Sequence, residues 1–314
     1  MKATVLKKST RKRFAQKTTE TTAPTGWQWH KSAGAQVLLA ASLARQTWLA
    51  HGFSTRLGGK SSLQGGRALN LGFTDWDSRP AVEANRKALV SALGASAMKL
   101  VGLRQIHSDV IHRVDKMPSE TPRGDALITK TDGLLLTIQT ADCVPVLLAD
   151  VRGRAIAAIH AGWRGTLVRI VAKTLGRMRM EFGTEPTDVL AAIGPAIGQC
   201  SFEVGPEVAQ AFATQFPDAQ AWFEGKFEQI ANVGDEPNPL KWLSMTPPGH
   251  DPPPPRVQLD LIAANRWQLT DSGVPAENIV AANLCTACHT DLFFSYRREQ
   301  SRTGRMMAAI GIRR

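Results

Sequence analysis

No apolar run in the chain approaches the roughly 18 residues that a bilayer-spanning helix requires, so no membrane span is expected. The opening stretch also lacks the apolar core of a secretory signal. Cysteine is scarce, four in 314 residues. Without an export signal the chain reads as cytoplasmic, in a reducing compartment with its thiols unpaired. Aromatic residues total 6%, with a single tyrosine, and nowhere do they interleave with basic residues as in single-strand nucleic-acid binders. No specific nucleic-acid partner is therefore expected.

Charge is plentiful but lopsided. The net charge is +11, yet residues 1–20 alone hold seven Lys or Arg against one Glu, and the remainder carries 31 basic and 26 acidic residues, or +5. Residues 1–35 read as a basic, disordered tail, with an organellar transit segment as the alternative. Residues 36–314 read as one domain, since no internal repeat or clean linker divides them. A Pro-rich insertion at 235–255, with four consecutive prolines at 252–255, reads as an exposed loop.

Within that domain, Val37–Ala41, Leu49–Ser54, Val101–His107, Leu134–Thr140, Asp188–Ile193, Ile279–Ala282, Leu292–Ser295 and Met306–Ile312 read as strands. Pro80–Leu93, Trp163–Met180, Glu207–Phe216 and Leu259–Leu269 read as helices. Leu134–Thr140 is a largely apolar run, with Leu134, Leu135, Leu136 and Ile138 on both faces, the pattern of a strand buried on both faces. Without strict β-α-β alternation, the fold class is mixed α/β (α+β), mixed β-sheets flanked by helices.

The most informative stretch runs from Ala141 to Gly165. Two apolar runs flank the polar turn Asp150-Val-Arg-Gly153, the pattern of a β-hairpin. If Asp150 faces Gly153, Cys143 lies directly opposite His160, with Cα atoms about 4.5–5.5 Å apart. His107, at the end of an expected strand, is the third candidate. Two imidazoles and a thiolate are zinc ligands, and three protein ligands leave a fourth position open for water or substrate. The plain alternative is a buried Cys143 with locally hydrogen-bonded histidines.

Arg56, beside Gly58-Gly59, and Arg164, at the start of the helix that follows His160, are candidate anion contacts. Phe293-Phe-Ser-Tyr-Arg-Arg298 offers a possible purine-stacking edge. In Cys285-Thr-Ala-Cys-His289 the spacing matches c-type haem attachment. That chemistry needs export, which leaves packed thiols as the first reading and a redox pair or second metal site as alternatives.

Ten segments, in order, carry a resemblance: Phe53-Ser-Thr-Arg-Leu-Gly-Gly, Leu69-Asn-Leu-Gly, Gln105-Ile-His-Ser, Asp125-Ala-Leu, Thr140-Ala-Asp-Cys-Val-Pro, His160-Ala-Gly-Trp-Arg-Gly, Gly194-Pro-Ala-Ile-Gly, Phe202-Glu-Val-Gly, Phe293-Phe-Ser-Tyr-Arg-Arg and Thr303-Gly-Arg. Together they resemble the laccase-domain family, also described as polyphenol oxidase, peptidoglycan editing factor and purine nucleoside phosphorylase. The resemblance implies a fold similar to cysteine-hydrolase-like toxin domains, with metal ligands at His107, Cys143 and His160. It implies phosphorolysis of adenosine, inosine, guanosine and methylthioadenosine, and deamination of adenosine. Purine nucleosides and phosphate would then be the partners, with Zn²⁺ as cofactor. The seven histidines include no His-x-His pair, which argues against a trinuclear copper centre. A single Cu²⁺ at the His-Cys-His site is chemically possible, since such ligands bind Cu²⁺ more tightly than Zn²⁺. The runner-up is a metal-free cysteine hydrolase or amidase, with Cys143 as nucleophile and His160 or His107 as base. A third reading is a non-enzymatic factor docked on an anionic surface by its basic tail.

Overall fold

Why Leu134–Thr140 and Met306–Ile312 are buried on both faces becomes clear from the layering. A computed structural model describes residues 22–63, 65–225, 256–300 and 302–314; the first 21 residues and the Pro-rich insertion lie outside the described residues. In chain order the elements are β1 (Trp27–Ser32), β2 (Ala35–Ala40), α1 (Ala41–Ala44), β3 (Leu49–Gly58), β4 (Ser61–Leu63), β5 (Gly66–Ala68), α2 (Arg79–Ala92), β6 (Lys99–Val101), β7 (Ile111–Arg113), β8 (Ala126–Thr129) and β9 (Leu134–Thr140). They continue with β10 (Val144–Asp150), β11 (Ala155–Ala161), α3 (Trp163–Leu167), α4 (Ile170–Phe182), β12 (Val189–Ile193), β13 (Glu203–Val204), α5 (Pro206–Gln215), β14 (Phe223–Glu224), β15 (Val257–Leu259), α6 (Leu261–Asp271), β16 (Ile279–Ala281), α7 (Tyr296–Glu299) and β17 (Met306–Ile312).

Two six-stranded mixed sheets, ordered β1-β2-β3-β17-β9-β6 and β16-β12-β10-β11-β8-β7, carry the fold. Strands alternate their side chains between faces, so a strand in the middle of a layered stack must be apolar on both. Leu136 and Ile138 of β9 meet Leu147, Ala149, Ile156 and Ala158 of the second sheet in the core between the sheets. Leu135 turns the other way, to Leu89 and Leu93 beside α2. On the second sheet, Val146 and Leu148 turn outward to Ile170, Val171 and Leu175 of α4 and to Ala264 and Leu269 of α6. The result is four layers: helix, sheet, sheet, helices. The expected mixed α+β class, the two-sided burial of 134–140 and the C-terminal strand all appear.

Several boundaries differ from the sequence reading. The stretch Trp27–Ser32, expected to lie within the tail, is instead a strand that pairs with β2 along its full length. Trp27 also packs edge-on against Phe53 at 5.5 Å. The helix expected over 163–180 is broken into α3 and α4 at Arg169, which takes a left-handed φ of 60°. Residues 292–295 are not a strand: Phe293 and Phe294 are fully buried and run directly into α7. The strand expected to deliver His107 ends at Val101.

Candidate metal and active site

The central hairpin forms, with a register two residues away from the expected one. Asp150 pairs with Ala155 and Pro145 with His160. The connection is four residues long, and Asp150 closes it by accepting from the backbone N–H groups of Arg152 (2.9 Å) and Gly153 (2.7 Å). Continued outward, this register puts Cys143 across from Gly162. A shift of two preserves the face on which each side chain lies, so Cys143 and His160 still share one side, as diagonal rather than facing neighbours.

His107 joins them from a loop, with a left-handed φ of 58° that a side-chain-bearing residue rarely adopts. The cause is Asp125, the fully buried residue just before β8. Its carboxylate accepts from the backbone N–H groups of Ile106 (3.2 Å), His107 (3.0 Å) and Ser108 (2.6 Å) and from the Ser108 hydroxyl (2.7 Å). Gln105 pins the same loop to β9, donating to the Gln139 carbonyl and accepting from its N–H, both at 2.7 Å. Asp125 then reaches His160, whose Nδ1–H donates to Oδ1 at 2.8 Å. A carboxylate can only accept, so Nδ1 carries a proton and a metal would be taken at Nε2.

The ligand atoms of His107, Cys143 and His160 all lie within 4.8 Å of one another. Cys143 Sγ is 4.0 Å from His107 Nε2. Metal–sulfur and metal–nitrogen bonds of about 2.3 and 2.0 Å in a tetrahedron would set those two atoms about 3.6 Å apart, within a few tenths of an ångström of the separation found. Gly162 makes the space. A Cβ there would sit 3.0 Å from His107 Cδ2 and 3.1 Å from Cys143 Sγ. Soft sulfur, two imidazoles and a carboxylate behind one of them is the donor set of a metal centre with an oriented histidine.

The electrostatics point the same way. Burial opposes charge on Cys143, His160 and Asp125, but their mutual contacts win. The positive His160 and the hydrogen bond to His107 bring the Cys143 thiol down to about 6. The Cys143 thiolate and Asp125 carry His160 up to about 9. Hydrogen bonds from His160 and Ser108 hold Asp125 at about 2. The metal-free cluster is thus a thiolate–imidazolium pair at neutral pH, and a metal bound to the thiolate would take the place of the His160 Nε2 proton.

Asp142, adjacent to Cys143, faces away from the cluster. Its carboxylate accepts from Thr286 Oγ1 (2.6 Å) and the Arg297 N–H (2.7 Å), and its carbonyl from the Ile197 N–H (2.8 Å). These three contacts hold it at a φ of 93° and fix the direction in which Cys143 leaves the chain.

The two expected anion contacts part company. Arg56 is committed to Glu299 at 2.8 Å and to the Thr290 carbonyl at 2.6 Å, with its guanidinium over the Phe294 ring. It fastens the 290–299 segment rather than offering a free cation. Arg164 is exposed in α3, stacked over Trp163, and makes no ion pair among the described residues. α3 has only five residues, so the long helix dipole expected behind Arg164 is absent. Phe293 and Phe294, read as a stacking edge, are core residues, and of that segment's aromatics only Tyr296 is exposed. Sequence reasoning missed the roles of Asp125 and Gly162 at the cluster. Asp125 lies 18 residues from His107 and 35 from His160, so no local spacing marks it.

Among solved structures the chain is similar to YlmD from Geobacillus stearothermophilus, with a TM-score of 0.74 and 30% identity over 93% of this chain and all of that one. Among characterised sequences it is 36% identical to a purine nucleoside phosphorylase of Bacteroides thetaiotaomicron, over 86% of this chain and 94% of that protein. It is likewise 36% identical to the purine nucleoside phosphorylase YfiH of Escherichia coli, over 82% and 91%. Residues 50–313 match the family model described as multi-copper polyphenol oxidoreductase laccase. That span includes every residue of the cluster, and the chain belongs to this family.

Proposed function

We propose that the protein is a purine nucleoside phosphorylase that also deaminates adenosine, with Zn²⁺ held by His107, Cys143 and His160. The observation that carries this reading is the convergence of those three ligand atoms within 4.8 Å, with Asp125 behind His160. The names of the relatives supply the reaction class. Bound there, Zn²⁺ would supply a Lewis acid at neutral pH.

The chain's own residues have separate tasks. Asp125 keeps the His160 proton on Nδ1. His107, exposed where His160 is buried, marks the side from which substrate arrives. Arg164, without an ion pair, offers a guanidinium to phosphate. In phosphorolysis a phosphate oxygen bonds to C1′ of the ribose as the bond to the purine nitrogen breaks, and the purine leaves with the electron pair and a proton. In deamination a water oxygen replaces the C6 amine, which leaves as ammonia. Unpaired cysteines throughout fit a reducing compartment, the cytoplasm.

Adenosine incubated with the pure protein should give adenine and ribose 1-phosphate only when phosphate is present, and inosine with or without it. Cys143→Ala should lose the metal and both activities, and turnover in a metal-free Cys143→Ala protein overturns the proposal. A second reading, a metal-free cysteine hydrolase, draws on one specific feature: Cys143, His160 and Asp125 also form a nucleophile, base and orienting carboxylate. It predicts inhibition by thiol alkylation and indifference to chelators, the reverse of what the metal reading predicts for chelation.

A further inference from the structure

Three of the four cysteines lie outside this cluster and have no part in the chemistry above. Their sulfurs converge: Cys200, Cys285 and Cys288 all lie within 4.8 Å of one another. We propose that these three thiolates form a second metal site, which takes a thiophilic d¹⁰ ion of the Zn²⁺ class and leaves a fourth position for water or an added ligand.

The geometry is that of a tetrahedral edge. Zinc–sulfur bonds of about 2.3 Å place two sulfurs of one tetrahedron about 3.8 Å apart, and Cys200 Sγ and Cys288 Sγ are 3.5 Å apart. Cys285 and Cys288 have the C-x-x-C spacing that recurs in zinc knuckles. Their turn is closed by the His289 N–H on the Cys285 carbonyl at 3.0 Å. The Gly198 N–H donates to Cys285 Sγ at 3.2 Å. A neutral thiol is a poor acceptor and a thiolate a good one, so this donor is placed for the metal-binding form. Glycine is needed at 198 because a Cβ would lie 3.2 Å from Cys285 Cβ and 3.4 Å from Cys200 Sγ. A disulfide would use two of the three sulfurs and leave the third without a role.

The position of the site gives it a purpose. Cys200 lies in the segment 194–201 and its partners in 284–289, two loops already joined by the Ala196–Cys285 bridge. The first loop supplies the Ile197 N–H and the second the Thr286 hydroxyl that hold Asp142, immediately before Cys143. An ion across the two loops would fasten the support of the first cluster without touching its substrate.

The test measures metal content under reducing conditions. A His107→Ala/His160→Ala protein, its first site disabled, is purified, equilibrated with Zn²⁺, desalted and assayed by mass spectrometry of the metal. One tightly held zinc per chain is expected, and adding Cys200→Ser/Cys288→Ser should abolish it. Cobalt in place of zinc should give a thiolate charge-transfer band in the first variant. That band needs no second variant, so it decides the matter if the quadruple variant fails to fold. Absence of stoichiometric metal and of the band, with all three thiols open to alkylation, overturns the proposal. So does an intact mass two hydrogens light, which would mark a Cys200–Cys288 disulfide.

Discussion

Replacing Asp125 by Asn is the sharpest probe of the first cluster, because one carboxylate performs two tasks there. It orients His160 through Nδ1 and holds the His107 loop through three backbone N–H groups. The amide keeps the shape but has one accepting oxygen and an NH₂ that can only donate. With its oxygen toward His160 and His107, the NH₂ faces the Ser108 N–H, at the position where Oδ2 accepts at 2.6 Å. Turned the other way, it opposes the His107 N–H and forces the His160 proton onto Nε2, the nitrogen needed for metal. The first orientation costs less. It still loses charge-assisted bonds worth about 1.5–3 kcal/mol each and strands a buried donor. A stability loss of about 3–5 kcal/mol is expected, as for other broken buried pairs. Metal affinity should fall about 10- to 100-fold, the usual penalty for losing a histidine's supporting carboxylate. Competition with a chromogenic chelator reads the affinity and denaturant unfolding reads the stability. A variant that binds metal within twofold of the parent would refute the assignment of Asp125.

Gly162→Ala isolates space from backbone effects, since Gly162 has a φ of −73° that alanine accepts. Pushing on His107 and Cys143 should weaken metal binding about tenfold with little change in melting temperature, and unchanged affinity in the chelator competition counts against the fit. Arg56 and Arg164 should separate cleanly. Arg56→Met strands the nearly buried Glu299 and should destabilise the fold by about 3 kcal/mol, seen as a lower melting temperature. Arg164→Ala should leave melting unchanged and raise KM for phosphate; the opposite pattern reverses the two roles. His51 predicts an acid limb of stability. Burial takes it down to about 4, and its Nε2 accepts from the Ala40 N–H. Its folded pKa lies below the unfolded 6.5, so the unfolded chain takes up a proton that the native state refuses. Stability should fall as pH drops from about 6.5 to 4, by at most about 3 kcal/mol. His51→Gln, which can still accept that bond, should flatten the slope measured by urea unfolding, and an unchanged slope assigns the effect to other groups.

The parts of the molecule legible in the sequence are those where a single local pattern had one physical solution. Leu134–Thr140 and Met306–Ile312 place apolar residues on both faces because each lies inside the stack. Asp150 with Gly153 marks a turn because both residues favour one. The misread parts have competing local solutions. Trp163–Phe182 keeps helical spacing straight through the break at Arg169, whose left-handed φ leaves no mark on the apolar pattern. Phe293 and Phe294 carry strand propensity, but the Ser295 hydroxyl accepts from the Arg298 N–H at 3.3 Å and caps a helical turn instead. Arg56 resembles a free anion contact until Glu299, 243 residues along the chain, arrives beside it.

The three candidate side chains converge despite the different hairpin register because of the parity of the strand. A slip of one would have turned Cys143 to the opposite face from His160; the actual difference is two, from a four-residue rather than two-residue connection. The diagonal arrangement is also the better one for an ion. Directly facing residues have Cα atoms about 4.5–5.5 Å apart, whereas diagonal ones are about 7–8 Å apart, which leaves room between them for an ion and for His107. The residue that does face Cys143 is Gly162, the only type whose missing side chain keeps that room open. Asp125 completes the logic: β8 pairs with β11 through Ala126 and Ile159. The residue preceding Ala126 therefore falls beside His160, and its carbonyl accepts the His160 N–H at 2.8 Å. Backbone pairing thus delivers the carboxylate to the imidazole before any side-chain contact is made, so the site's orientation is set by sheet register and its reactivity by what the side chains then do.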